Sequence, residues 1–113
     1  FRSPSTPFVA NFIGDINQYE TSRLNDIFGI SATPGELGLS FIRLNNIKTE
    51  KKGRMVKVPA TVADIDFHGF YVKYTFTTDA GQEIRSATRH ESEMHQVDDR
   101  VDVFFSENDF FHL

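Results

Sequence analysis

Four histidines and sixteen carboxylates are the side chains that could move protons or hold a metal. Their densest grouping is His90-Glu91-Ser92-Glu93-Met94-His95, which invites comparison with the zinc-protease helix, where two His at i and i+4 share one face. Here the spacing is i+5, which turns the second ring about 140° away from the first on a helix. No other local spacing supports a metal site, so the His residues are read as surface groups. Glu91, Glu93, Asp98, Asp99 and Asp102 read as a solvated acidic loop followed by a strand with Asp102 outward, in preference to an acid/base pair. No G-x-x-x-x-G-K-[ST] run cradles a phosphate and no Ser stands in a G-x-S-x-G elbow. With no Cys there is no thiolate nucleophile, cysteine zinc site or disulfide. The expectation is a chain without catalytic residues, metal or cofactor.

Binding is then the remaining class of function, and charge narrows it. Twelve Lys and Arg against sixteen Asp and Glu give a formal charge of -4 over 113 residues, so no overall electropositive field draws a nucleic acid. The length suits one domain, or one domain with a tail. No apolar run approaches the roughly 18 residues of a membrane-spanning helix. Phe1-Arg2-Ser3-Pro4 carries neither an initiator Met nor a signal-peptide pattern, and the expectation is a piece of something longer. Twelve Phe and three Tyr must find burial.

The elements that would bury them can be read from periodicity. Thr6 as cap, Pro7 at the first helical position and Gly14 as terminator bracket a short helix, with Phe8, Val9, Phe12 and Ile13 on one face. Gln18 to Asn25 reads as an exposed strand, Ala32-Thr33-Pro34-Gly35 as a turn, and Leu39, Phe41 and Arg43 as the start of a second strand. The basic stretch from Lys48 to Arg54 reads as a solvated loop. Val56, Val58, Ala60 and Val62 are apolar at even positions, and the phase then moves to Ile65 and Phe67. Such a slip predicts a bulge near Ala63 and Asp64, a device that lets a strand coil around a small barrel.

After a reversal at His68-Gly69, Phe70, Val72, Tyr74 and Phe76 are expected inward, leaving Tyr71 outside with Lys73 and Thr75. One exposed ring is a poor platform for stacking bases. Asp79-Ala80-Gly81 makes a hairpin into Glu83 to Thr88, Val101, Val103 and Phe105 form a further strand, and Ser106 to Asp109 turn into Phe110 to Leu113. The pattern predicts an all-β fold: a small antiparallel five-stranded barrel of oligonucleotide/oligosaccharide-binding (OB) type with a short N-terminal helix. Phe67, Phe70, Tyr74, Phe76 and Phe105 are assigned to its interior.

Two stretches carry a family resemblance. Pro4-Ser-Thr-Pro-Phe-Val-Ala-Asn-Phe-Ile-Gly14 followed by Asn17 resembles the run that closes the ATPase domain of importer-type ABC transporter ATPases. Phe41-Ile-Arg43, Val62-x-x-Ile-x-Phe-His-Gly69 and Val101 to Leu113 resemble segments of the TOBE domain, an OB-like barrel that follows in those subunits. Leu44-Asn45 departs from the family's usual Pro-Glu, and Asp98-Asp99 stands where a Gly usually precedes the penultimate strand.

The resemblance implies that residues 1–14 end an ATPase domain and residues 15–113 form a TOBE regulatory domain. It implies a non-catalytic, dimer-forming domain of an ABC importer's ATP-binding subunit, peripheral on the cytoplasmic face of the membrane. ATP and Mg would belong to the ATPase domain. The partners implied are that domain, a second copy of the subunit and the transmembrane permease. Phe8, Val9, Phe12, Ile13, Arg43, Phe110 and Phe111 are candidate interface residues. Two alternatives stand beside it: a single-stranded nucleic-acid-binding barrel, and an oxyanion-sensing barrel using Ser86, Thr88 and Arg89.

Overall fold

The computed structural model describes residues 15–89 and 94–113. The helix expected over 6–14 and the residues His90 to Glu93 lie outside them. Seven antiparallel strands form two sheets. Strands β1 (Ile16–Glu20), β2 (Leu39–Arg43) and β7 (Phe111–His112) make a small sheet in the order β1-β2-β7. Strands β3 (Val56–His68), β4 (Tyr71–Thr78), β5 (Glu83–Arg89) and β6 (Arg100–Phe105) make a larger curled sheet in the order β5-β4-β3-β6. The all-β half-barrel is the predicted class, with seven strands among the described residues in place of five, β3 being 13 residues long.

The predicted bulge is present. β3 and β4 pair regularly to Val62↔Phe76, then skip to Asp64↔Thr75, leaving Ala63 as the extra residue. The loop before β6 closes on this point: Val62 N–H donates to the Asp99 carbonyl, and Asp98 N–H to the Val62 carbonyl. Asp98 takes φ 76° there, the left-handed conformation that glycine adopts with least strain.

Two expectations fail. Gln18 to Asn25 is not one strand: β1 stops at Glu20, a 3-10 turn covers Thr21–Arg23, and a short helix α1 follows at Leu24–Phe28. Leu24 and Phe28, four apart, reach the core as helical spacing allows. Gly29, at φ 73°, ends the helix by donating its N–H to the Asn25 carbonyl. Phe67 and Phe70 are not interior either, being 57% and 81% exposed. β3 pairs with β6 only through Thr61, so its far half runs on beside β4 alone. Phe67 keeps the inward phase but lies past the layers that cover the core, and Phe70 sits in the turn.

The core holds Val58, Ala60 and Val62 of β3, Val72, Tyr74 and Phe76 of β4, Ile84, Val103 and Phe105, facing Tyr19, Leu24, Phe28 and Ile42. Side chains join the two sheets along β5. The Asn17 amide donates to the Arg85 carbonyl and accepts from the Arg85 N–H, both at 2.9 Å, as a neighbouring strand would. Tyr19 donates its hydroxyl to the Glu83 carbonyl at 2.8 Å, and the Arg85 guanidinium donates to the Ile16 carbonyl at 2.8 Å. Burial raises the Tyr19 pKa well above its ordinary value, with Arg85 opposing and Glu83 adding to the shift. Among the described residues no helix is long and apolar enough to cross a membrane.

Candidate binding cleft

The segment after β2 is pinned from below. Leu44 and Ile47 are buried, and Lys48 exchanges backbone hydrogen bonds with Phe104 at 2.7 and 2.8 Å. The 3-10 turn Leu44–Asn46 packs on β5. The polar side chains that follow therefore stand over the end of β5. Between them lies a cleft of about 510 Å³. Lys48, Lys52 and Arg89 bring three cations to its lining, Thr49 and Thr88 two hydroxyls, and Glu50 the single carboxylate among the described residues. His95 holds two of the lining residues: its N–H donates to the Tyr74 hydroxyl oxygen at 3.1 Å, and its Nε2 lies 3.4 Å from Thr49 Oγ1. Cations beside hydroxyl donors suit a small anion, by charge first and hydrogen bonds second.

Of the predicted oxyanion ligands, Thr88 and Arg89 line this cleft, whereas Ser86 does not. Ser86 faces the interior, and its buried hydroxyl has no hydrogen-bond partner among the described residues. Lys48, Thr49 and Lys52 are cleft residues that sequence reasoning assigned to a solvated loop. The signal was the concentration of positive charge between two strands, and only the fold shows what it overhangs. Arg43 and Phe111 meet, with the guanidinium 5.7 Å from the ring centroid. Phe110 belongs to the core, with ring contacts to Tyr19, Phe28 and Phe105. Phe8, Val9, Phe12 and Ile13 lie outside the described residues.

Outside the cleft, polar clusters have local explanations. Arg100 binds Asp79 at 2.7 Å on an exposed surface, and this hydrogen bond lowers the Asp79 pKa. Asp99 accepts from the Gln96 N–H within its own loop. Among the described residues no three His or carboxylates converge as a metal site.

The TOBE domain family model matches residues 41–113. The chain belongs to the TOBE domain family. The TOBE match opens inside β2, yet β1 and α1 lie outside it and still supply Tyr19, Leu24 and Phe28 to the shared core. Among solved structures, the fold is similar to the cytoplasmic molybdate-binding protein ModG with molybdate bound. That match has a TM-score of 0.58 and 12% identity, covering 77% of this chain and 67% of that one. No curated protein matches the chain.

Proposed function

We propose that this TOBE domain is the regulatory, dimer-forming part of the ATP-binding subunit of a solute importer, working at the cytoplasmic face of the membrane. The observation that supports this reading is the TOBE match over residues 41–113 standing behind Phe8-Val-Ala-Asn-Phe-Ile-Gly14, which resembles the end of an importer ATPase domain. ATP and Mg are held by that domain, and the barrel acts by packing and binding. It holds two subunits together through the same patch in each copy, or shifts their closure through its own differential contacts in the two states. The test is the full gene product: residues upstream of Phe1 should carry a G-x-x-x-x-G-K-[ST] loop, and the product should hydrolyse ATP. A product with neither overturns the reading.

The cleft favours a second reading, an oxyanion sensor, because Lys48, Lys52 and Arg89 face Thr49 and Thr88 there. ModG, which shares the fold, binds molybdate. Calorimetric titration with molybdate, sulfate and phosphate should show heat that disappears in Lys48→Ala/Arg89→Ala. No heat with any of the three removes this reading and leaves the first intact.

A further inference from the structure

Two hollows meet at the end of β5. Ala87, Thr88 and Arg89 line the cationic cleft and also a second hollow of about 520 Å³, whose other described lining is Phe70 and Tyr71 of the hairpin tip. Each lies in the range of about 300–1,000 Å³ that takes organic ligands, which is more room than a five-atom oxyanion fills. The two differ in chemistry. In the cleft Lys48, Lys52 and Arg89 are exposed, and among the described residues neither lysine has an ion-pair partner. In the second hollow the surface is aromatic. Tyr71 has one face taken by His68, stacked at 5.0 Å, and meets Phe70 edge-on at 6.0 Å. Phe70, 81% exposed, is the ring left for a flat ligand to stack on.

Strand register sets the two chemistries side by side. Tyr71 pairs with Arg89 across β4 and β5, so their Cα atoms lie about 5 Å apart and their side chains share a face. Cations beside a ring suit the two ends of one small molecule, a phosphate and a base. Glu50 repels a bare oxyanion but accepts hydrogen bonds from sugar hydroxyls. We propose that the cleft and the tip together bind a nucleoside phosphate, with the phosphate among Lys48, Lys52, Thr49 and Thr88 and the base on Phe70. The formal charge of -4 repels a long polyanion, while the local excess of cations still draws a single nucleotide. The inference rests on the oxyanion-sensor reading only for the cleft's preference for anions.

The 113-residue chain has no G-x-x-x-x-G-K-[ST] loop, so nucleotide bound to it is not held as an ATPase domain holds it. Calorimetric titration with AMP should give a Kd at least tenfold below those for inorganic phosphate, ribose 5-phosphate and adenosine. Phe70→Ala should weaken AMP about tenfold, the loss of one stacked ring, with phosphate unchanged. Lys48→Ala/Lys52→Ala should weaken both. AMP no tighter than phosphate or ribose 5-phosphate, or AMP affinity untouched by Phe70→Ala, overturns the proposal. Oxyanion heat with no advantage for AMP does so while the sensor reading stands. AMP heat that is lost in Phe70→Ala, with no heat from any oxyanion, removes the sensor reading and keeps this one.

Discussion

The β3–β4 hairpin has a root and a tip, built from the same residue types and treated oppositely. Towards the root Tyr74 and Phe76 are buried and stacked at 5.7 Å. At the tip Phe67 and Phe70 face solvent, and His68 stacks on Tyr71 at 5.0 Å. The root lies where β6 and β5 flank the hairpin and the small sheet faces it. The tip has one strand partner on the β3 side. Burial of a ring is thus decided by whether a second layer reaches it, and alternation along the strand only decides which side it would present.

The contrast is broken most forcefully at the root. Phe76→Ala should cost about 3–5 kcal/mol by leaving a cavity in the core, read as a lowered urea midpoint. Deleting Ala63 removes the bulge while the root keeps its pairing with β6. Asp64↔Thr75 and Ile65↔Tyr74 then follow Val62↔Phe76 directly and keep their faces, so what is lost is the coil of β3 and the seating of the Asp98–Asp99 loop on Val62, at a cost of about 1–3 kcal/mol. Equal stability after that deletion would mean that β3 does not need the bulge to curl or to seat the loop before β6.

A pH titration reads the seam on the β5 side of the root. In the unfolded chain Tyr19 ionises near pH 10. In the fold its hydroxyl is buried, donates to Glu83 and holds its proton to higher pH. This contribution is therefore complete below about pH 10 and is lost as pH rises above it. Tyr19→Phe should flatten that part of the stability profile. Asp98→Gly should raise stability by about 0.5–1 kcal/mol, because Asp98 holds φ 76° beside the bulge. The smallest effect belongs to the tip: Phe70→Ser should change stability by no more than about 0.5 kcal/mol. A large loss there would show that the tip is packed after all.

The parts legible in the sequence are those governed by local periodicity. The phase slip between Val62 and Ile65 located the bulge, and the hairpin at Asp79-Ala80-Gly81 followed from its turn residues. Gln18 to Asn25 was misread because alternation through Glu20 gives way to a pair at helical spacing, Leu24 and Phe28, with no capping side chain to mark the change. Phe67 and Phe70 were misplaced because no pattern along β3 tells where β6 ends. The binding cleft was half legible: Thr88 and Arg89 stood out on β5, but Lys48 and Lys52 reach them only because Leu44 and Ile47 anchor the intervening segment. Asn17, which clasps Arg85 across 68 positions, left no local trace.

The most direct test of the functional account is ATP hydrolysis per subunit by the full gene product, followed on dilution beside a version ending after Gly14. If the TOBE barrel holds two copies together, the full product keeps its specific activity to lower concentration than the shortened one. Identical dilution curves, or no hydrolysis by either protein, would contradict it.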